Sequence, residues 1–144
     1  MLTRLQIRKF KVFSDADIEL GPVTVLCGPN NSGKTAALQA IALWRLGLKA
    51  WQAERGKGSK ARERVGVPIN RRDLVSIPVP ETSLLWHDLR LREGFRQDGH
   101  TVTRNLRNDI TVSGVGPSGA WECGLEFDYA GPEVIYVRPR RLSE

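Results

Sequence analysis

The chain has 144 residues, of which 40% are hydrophobic and 26% are charged. This length and composition fit one folded domain with a core, and they exclude a disordered tail. The 22 basic residues exceed the 16 acidic ones and leave a net charge of +6, which favours a nucleotide, a nucleic acid or an acidic surface as partner.

The first third of the chain predicts two strands, a third buried strand and a helix. Residues 2–8 and 16–20 alternate apolar and polar side chains, as half-buried strands do. Residues 23–27 are almost continuously apolar, which predicts a strand covered on both faces in the middle of a parallel sheet. Apolar residues at helical spacing predict a helix from 35 to about 53, in which Gly47 is the one weak point.

The rest of the chain predicts a loop followed by short strands. Segment 56–74 is rich in lysine and arginine and predicts a basic mobile loop. Prolines favour extended chain over residues 75–80, and 82–92 predicts a short helix with Leu85 and Leu89 facing inward. From 94 to 139 the pattern predicts a lobe of short strands, with strands at 101–104, 109–113, 121–127 and 134–137 and a hairpin connection at 114–119.

Residues 28–35 read Gly-Pro-Asn-Asn-Ser-Gly-Lys-Thr and match the phosphate-binding pattern G-x-x-x-x-G-K-[ST]. The strand predicted before the loop and the helix after it supply the context that this pattern needs. Glycines let successive backbone N–H groups converge on an anion, and the helix N-terminus adds its positive dipole end. The pattern predicts that Lys34 contacts the β- and γ-phosphates and that the Thr35 hydroxyl binds Mg²⁺.

The residues around this loop resemble the start of an ABC-type AAA ATPase head, in the branch that contains RecF, SMC, Rad50 and the OLD nucleases. The resemblance covers residues 1–45. It lies in a first strand that runs into Phe10-Lys11-Val12-Phe13, a second strand that ends Ile18-Glu19-Leu20, and a third that enters the Pro-Asn-Asn-Ser-Gly-Lys-Thr loop. It implies an α/β fold: the N-terminal portion of a P-loop NTPase, with a β-rich antiparallel lobe and an incomplete sheet.

The resemblance also implies ATP and Mg²⁺ as cofactors, and a homodimer in which two heads enclose the nucleotide. The implied nucleotide-binding residues are Lys11 and the loop residues Gly28, Pro29, Asn30, Asn31, Ser32, Gly33, Lys34 and Thr35. Besides Thr35, Gln97 is a candidate Mg²⁺ contact at the joint between lobes. The alternatives are a solvated lysine at a strand end for Lys11, and a hairpin turn over 96–100 for Gln97.

Two parts of such a head are not found in the sequence. No run of four apolar residues is followed by Asp-Glu, the acidic Walker B strand that would hold Mg²⁺ and activate water. In residues 125–128, charged and apolar side chains alternate, as in an edge or surface strand. Residues 112–116 are superficially similar to the family's signature segment, but their pattern predicts a hairpin. We therefore expect 1–144 to be the N-terminal part of a head, made of a loop–helix segment (1–55), the basic loop (56–74) and the lobe (94–139).

The expected function is ATP binding within a RecF/SMC/OLD-like ATPase, with a role in DNA maintenance or anti-phage defence. Hydrolysis and ATP-driven dimerisation would need the missing parts, from a longer chain or a partner subunit, so the isolated chain should turn over little ATP. The alternative is a non-catalytic basic module that binds nucleic acid through residues 57–72. With no secretion signal, apolar span or disulfide framework in the sequence, we expect a cytoplasmic protein without a membrane partner.

Overall fold

A computed structural model describes residues 1–55 and 66–140. These residues form eight strands and one α-helix: β1 (Leu2–Phe10), β2 (Phe13–Glu19), α1 (Lys34–Arg55), β3 (Val67–Asn70), β4 (Arg92–Gln97), β5 (His100–Asn105), β6 (Asn108–Gly116), β7 (Gly119–Gly131) and β8 (Val134–Pro139). Three short 3₁₀ turns lie between β3 and β4, at Arg71–Asp73, Thr82–Leu85 and His87–Leu89.

Six strands form one sheet in the order β2-β1-β6-β7-β8-β3, and all its neighbouring strands are antiparallel. The register places Leu5 opposite Val112 and Ile7 opposite Ile110, so the buried side chains of successive strands share one face. β4 and β5 pair only with each other and form a separate hairpin. The predicted strands of the 94–139 lobe and the hairpin at 114–119 are confirmed.

The helix α1 packs on the apolar face of the sheet. Ala40 and Leu43 are fully buried there. A Cβ atom on Gly47 would lie 2.9 Å from Phe127 Cζ and from Val137 Cγ2. The glycine that weakens the helix in isolation therefore allows its close approach to β7 and β8. The predicted helix is confirmed and begins at Lys34, directly after the loop.

The opposite face of the sheet is polar and carries a network of ion pairs. Arg107 contacts Glu126 at 3.1 Å and Asp128 at 2.9 Å, and Arg138 contacts the same two carboxylates at 3.2 and 3.1 Å. Residues 125–128 are therefore not an edge strand: β7 lies inside the sheet, and its alternation reflects one apolar face and one charged face.

The segment between β3 and β4 is tied to the sheet by Trp86. This side chain is 1% exposed, and its Nε1–H donates to the Leu106 carbonyl at 2.7 Å. Trp86 also forms an isolated bridge with Phe10 at the end of β1. Two 3₁₀ turns replace the helix predicted for 82–92: Leu85 is buried as predicted, but Leu89 is 60% exposed, so its predicted inward position is wrong.

The main difference from the sequence prediction lies at residues 23–27. They form no strand, and Val23 and Val25 are 86% and 76% exposed. A buried parallel strand needs hydrogen-bonded neighbours on both sides, and the described residues supply none for this segment. The strands that the structure does show pair antiparallel, so the expected parallel sheet is not formed here.

The predicted basic loop 56–74 is also corrected where the structure describes it. Val67–Asn70 is a strand that pairs with β8, and Arg71 forms an ion pair with Glu133 at 2.9 Å. Val67 and Ile69 are two residues apart and both are buried, a spacing typical of a strand. The many charged residues around them obscured this signal in the sequence. Residues 56–65 of the predicted loop lie outside the described residues.

Candidate nucleotide-binding site

The loop 28–35 leaves the unpaired segment 23–27 and turns into α1. Gly33 has φ +101° and Asn31 has φ +65°, backbone conformations that a chain of ordinary residues rarely adopts. The Ser32 N–H donates to the Pro29 carbonyl at 3.3 Å, and the Ala37 N–H donates to the Gly33 carbonyl at 2.8 Å. The loop thus curls tightly and leads directly into α1, where the bond from Ala37 to Gly33 is the first helical hydrogen bond.

The amine of Lys34 lies over this curl. Its Nζ donates to the carbonyl oxygen of Gly28, at the opposite end of the loop. The Lys34 side chain therefore folds back across the loop rather than extending away from it. A lysine amine folded over a glycine-containing loop at a helix start is the arrangement that binds phosphate oxygens.

The turn between β1 and β2 packs against the loop. A Cβ atom on Gly33 would lie 2.7 Å from Phe13 Cζ and 3.1 Å from Val12 Cγ2, so only glycine fits this contact without displacement. The side chains of Phe13 and Val12 thus fix the position of the loop. The β1–β2 turn and the loop therefore depend on each other for their positions.

Lys11 lies in the same turn and reaches α1. Its Nζ donates to Gln39 Oε1 at 2.5 Å, and burial lowers the pKa of the Lys11 amine. The backbone of Lys11 is held as well, because its N–H donates to the Leu85 carbonyl at 3.0 Å and its carbonyl lies 2.7 Å from His87 Nδ1. Lys11 is therefore a positioned, half-buried residue and not a freely solvated lysine.

Gln39 is the residue of this site that the sequence prediction missed. It lies four residues after Thr35, one helical turn further along α1. That spacing places Gln39 on the same side of the helix as Thr35, which was a usable signal. A glutamine on a helix is commonly just solvent-exposed, however, so the signal was weak. Its contact with Lys11 depends on the position of the β1–β2 turn, which the local sequence does not reveal.

The residues present fit a nucleoside triphosphate with Mg²⁺. The curled glycine-containing loop, the Lys34 amine that folds over it and the exposed Thr35 at the helix start are the groups such a ligand needs. Over residues 1–55 and 66–140, no group of three or more His, Cys, Asp or Glu side chains could hold a metal ion.

Gln97 lies elsewhere in the fold. It ends β4 and pairs with His100 across a turn in which Asp98 and Gly99 have φ of +52° and +79°. The hairpin predicted for residues 96–100 is thereby confirmed. The Mg²⁺ role of Gln97 stays a prediction.

Comparison with known families adds the decisive observation. An AAA domain family matches residues 4–77, just over half of the chain, and this range includes the whole loop and the β1–β2 turn. The chain belongs to the AAA domain family. Membership in this family supports nucleotide binding by a P-loop fold.

One curated protein is similar to a short part of the chain. The chain is 51% identical over 43 residues to an OLD nuclease of Thermus scotoductus, and these residues are 30% of the chain and 8% of the nuclease. The matched part is thus a small fraction of that relative's length. In the part of the chain that the structure describes, no helix is long and apolar enough to cross a membrane.

Proposed function

We propose that the chain is the ATP-binding segment of a RecF/SMC/OLD-like ATPase and uses Mg²⁺ with the nucleotide. The observation that carries this proposal is the curled loop 28–35, with the Lys34 amine folded over it at the start of α1. The family match and the OLD nuclease relative support the same branch. By this kinship the whole protein would act in DNA maintenance or anti-phage defence, in the cytoplasm.

Each residue of the site has a separate task in this proposal. Lys34 exchanges its bond to the Gly28 carbonyl for phosphate oxygens, and the backbone N–H groups of the loop donate hydrogen bonds to the same phosphates. The Thr35 hydroxyl would hold Mg²⁺, which when bound neutralises charge on the phosphates. Lys11 approaches from the β1–β2 turn, and an anion nearby would favour its charged form against the effect of burial.

In this proposal, completion of the site requires a partner surface, and residues 23–27 are the candidate for it. Residues 23–27 leave their backbone groups without strand partners among residues 1–55 and 66–140. Beside them lies an apolar groove of about 350 Å³, lined by Leu2, Leu5, Ile18, Leu20, Leu26, Leu38 and Ile41. We propose that strands from the remainder of the head, in the same chain or a partner subunit, pair here and bring the acidic strand that hydrolysis needs.

The proposal is tested by nucleotide affinity. Lys34→Ala should weaken binding of a fluorescent ATP analogue with Mg²⁺ about 10- to 100-fold, because a charged hydrogen bond contributes about 1.5–3 kcal/mol. Lys49→Ala removes an equal charge from the exposed side of α1 and should leave the affinity unchanged. Removal of Mg²⁺ with a chelator should weaken wild-type binding and affect Thr35→Ala less.

Two results would contradict the proposal. One is equal affinity in wild type and Lys34→Ala, and the other is no measurable affinity in either. Binding of duplex DNA with no nucleotide affinity would favour the alternative, a non-catalytic nucleic-acid-binding module. Rapid ATP hydrolysis by the isolated chain would show that no partner surface is required.

A further inference from the structure

The β1–β2 turn meets the nucleotide site through two successive residues. The Lys11 side chain reaches α1, where its Nζ donates to Gln39 Oε1 at 2.5 Å. Val12 packs on the loop, since its Cγ2 would lie 3.1 Å from a Cβ atom on Gly33. The backbone of Lys11 therefore lies directly beside the loop, and its orientation decides where the Lys11 amine points.

The conformation of this turn is one that a lysine rarely adopts. Lys11 has φ +50°, and Lys9, two residues before it, has φ +56°. Residues other than glycine keep a positive φ only where surrounding contacts hold them, and such residues cluster at binding sites. The contacts that hold the Lys11 backbone are therefore candidates for a part in building the site.

Segment 85–87 holds both backbone groups of Lys11. The Lys11 N–H donates to the Leu85 carbonyl at 3.0 Å, and the buried Asn108 donates its side-chain Nδ2–H to the same carbonyl at 3.2 Å. On the other side, the Lys11 carbonyl lies 2.7 Å from His87 Nδ1. Because a carbonyl oxygen only accepts hydrogen bonds, Nδ1 must carry the proton in this contact.

His87 is itself well placed to act as a fixed donor. It follows Trp86, whose buried indole donates to the Leu106 carbonyl at 2.7 Å. The second ring nitrogen, Nε2, lies 3.3 Å from the Asp88 carboxylate, and the His87 side chain is only 26% exposed. The imidazole is therefore an oriented group between a carbonyl and a carboxylate, and not a freely solvated side chain.

We infer that His87 is a positioning residue of the nucleotide site: its Nδ1–H holds the Lys11 backbone so that the Lys11 amine is directed toward the triphosphate. This inference rests on the proposed ATP binding and adds a residue from outside the loop and the β1–β2 turn. His87 acts through Lys11 and not by contact with the nucleotide. The segment between β3 and β4 thereby becomes part of the support of the site.

The test is the affinity for a fluorescent ATP analogue with Mg²⁺. His87→Ala should weaken binding about 3- to 10-fold, because a hydrogen bond that orients Lys11 is lost. His87→Asn should restore the affinity to within about twofold of wild type, since an asparagine Nδ2–H can take the place of the imidazole Nδ1–H. His87→Gln, whose amide reaches the position of Nε2 instead, should not restore it. His100→Ala removes the exposed histidine of β5 as a matched control and should bind like wild type.

A double-mutant cycle separates positioning of Lys11 from general support of the fold. Lys11→Met removes the amine that His87 positions, so adding His87→Ala to Lys11→Met should weaken binding by less than about twofold further. A role in folding alone would instead lower the affinity equally in both backgrounds.

The outcomes distinguish this inference from the proposed function. The inference alone is overturned if His87→Ala binds like His100→Ala, if it has its full effect in the Lys11→Met chain, or if asparagine and glutamine at residue 87 bind equally. Absence of nucleotide affinity in the wild type would contradict the proposed function and this inference with it. Nitrogen NMR gives a readout without nucleotide: at a pH where the ring is neutral, the His87 proton should lie on Nδ1, and a proton on Nε2 would also overturn the inference.

Discussion

At the scale of single residues, the loop depends on Gly33 for both conformation and contact. Gly33→Ala places a Cβ at φ +101° and 2.7 Å from Phe13 Cζ, so backbone strain and steric overlap add. We expect a loss of about 2–4 kcal/mol in the free energy of unfolding, measured by urea denaturation. Nucleotide affinity should fall in the same variant, because the loop and the β1–β2 turn would separate.

Gly99→Ala is the matched control for this prediction. Gly99 also has a positive φ, +79°, but no atom lies within 4 Å of the position of its Cβ. This variant should lose only the strain component, about 1 kcal/mol. Equal losses in the two variants would show that the contact between Gly33 and Phe13 contributes nothing.

At the scale of elements, Trp86 connects the segment between β3 and β4 to the sheet. Trp86→Phe removes a buried indole that donates to the Leu106 carbonyl, and it leaves both a cavity and an unpaired acceptor. We expect a loss of about 2–4 kcal/mol in the free energy of unfolding. Trp121→Phe is the control: Trp121 is 38% exposed and stacks on Trp44, so its loss should be about 1 kcal/mol or less. A Trp86 loss no larger than that of Trp121 would contradict this role.

The elements that the sequence predicts correctly are those whose pattern is local. Alternation in β1, β6 and β7 and the helical spacing of α1 arise from one apolar face, and that face exists in this chain. Leu89 shows the limit of prediction from periodicity. The helical spacing of apolar residues continues to Leu89, but the chain breaks there into separate 3₁₀ turns in which Asp88 and Leu89 adopt positive φ. The loop 28–35 was predictable because its chemistry is contained in consecutive residues, whereas the contact between Lys11 and Gln39 depends on how β1 and α1 pack.

At the scale of the whole molecule, the antiparallel sheet has a complete core, but the extended segment 23–27 that enters the loop is not covered by it. The apolar composition of residues 23–27 is suited to burial on both faces, yet Val23, Val25 and the neighbouring Leu38 are exposed. Under the proposed function, another part of the ATPase head covers this surface, since an unpaired apolar segment promotes association. The described residues thus form a complete antiparallel sheet, next to which the proposed nucleotide site awaits the partner strands that the proposal assigns to it.

Because residues 23–27 are exposed, a charge at residue 25 should change association more than stability. Val25→Lys should change the free energy of unfolding by less than about 0.5 kcal/mol, because the side chain is 76% exposed and leaves no cavity. The same variant should reduce self-association of the isolated chain in sedimentation experiments, because a lysine on an unpaired apolar segment opposes its pairing with another edge. Val115→Lys, at an exposed valine beside the β6–β7 turn, should leave self-association as in wild type. A loss of about 2 kcal/mol or more in Val25→Lys alone would show instead that the isolated chain already buries this segment.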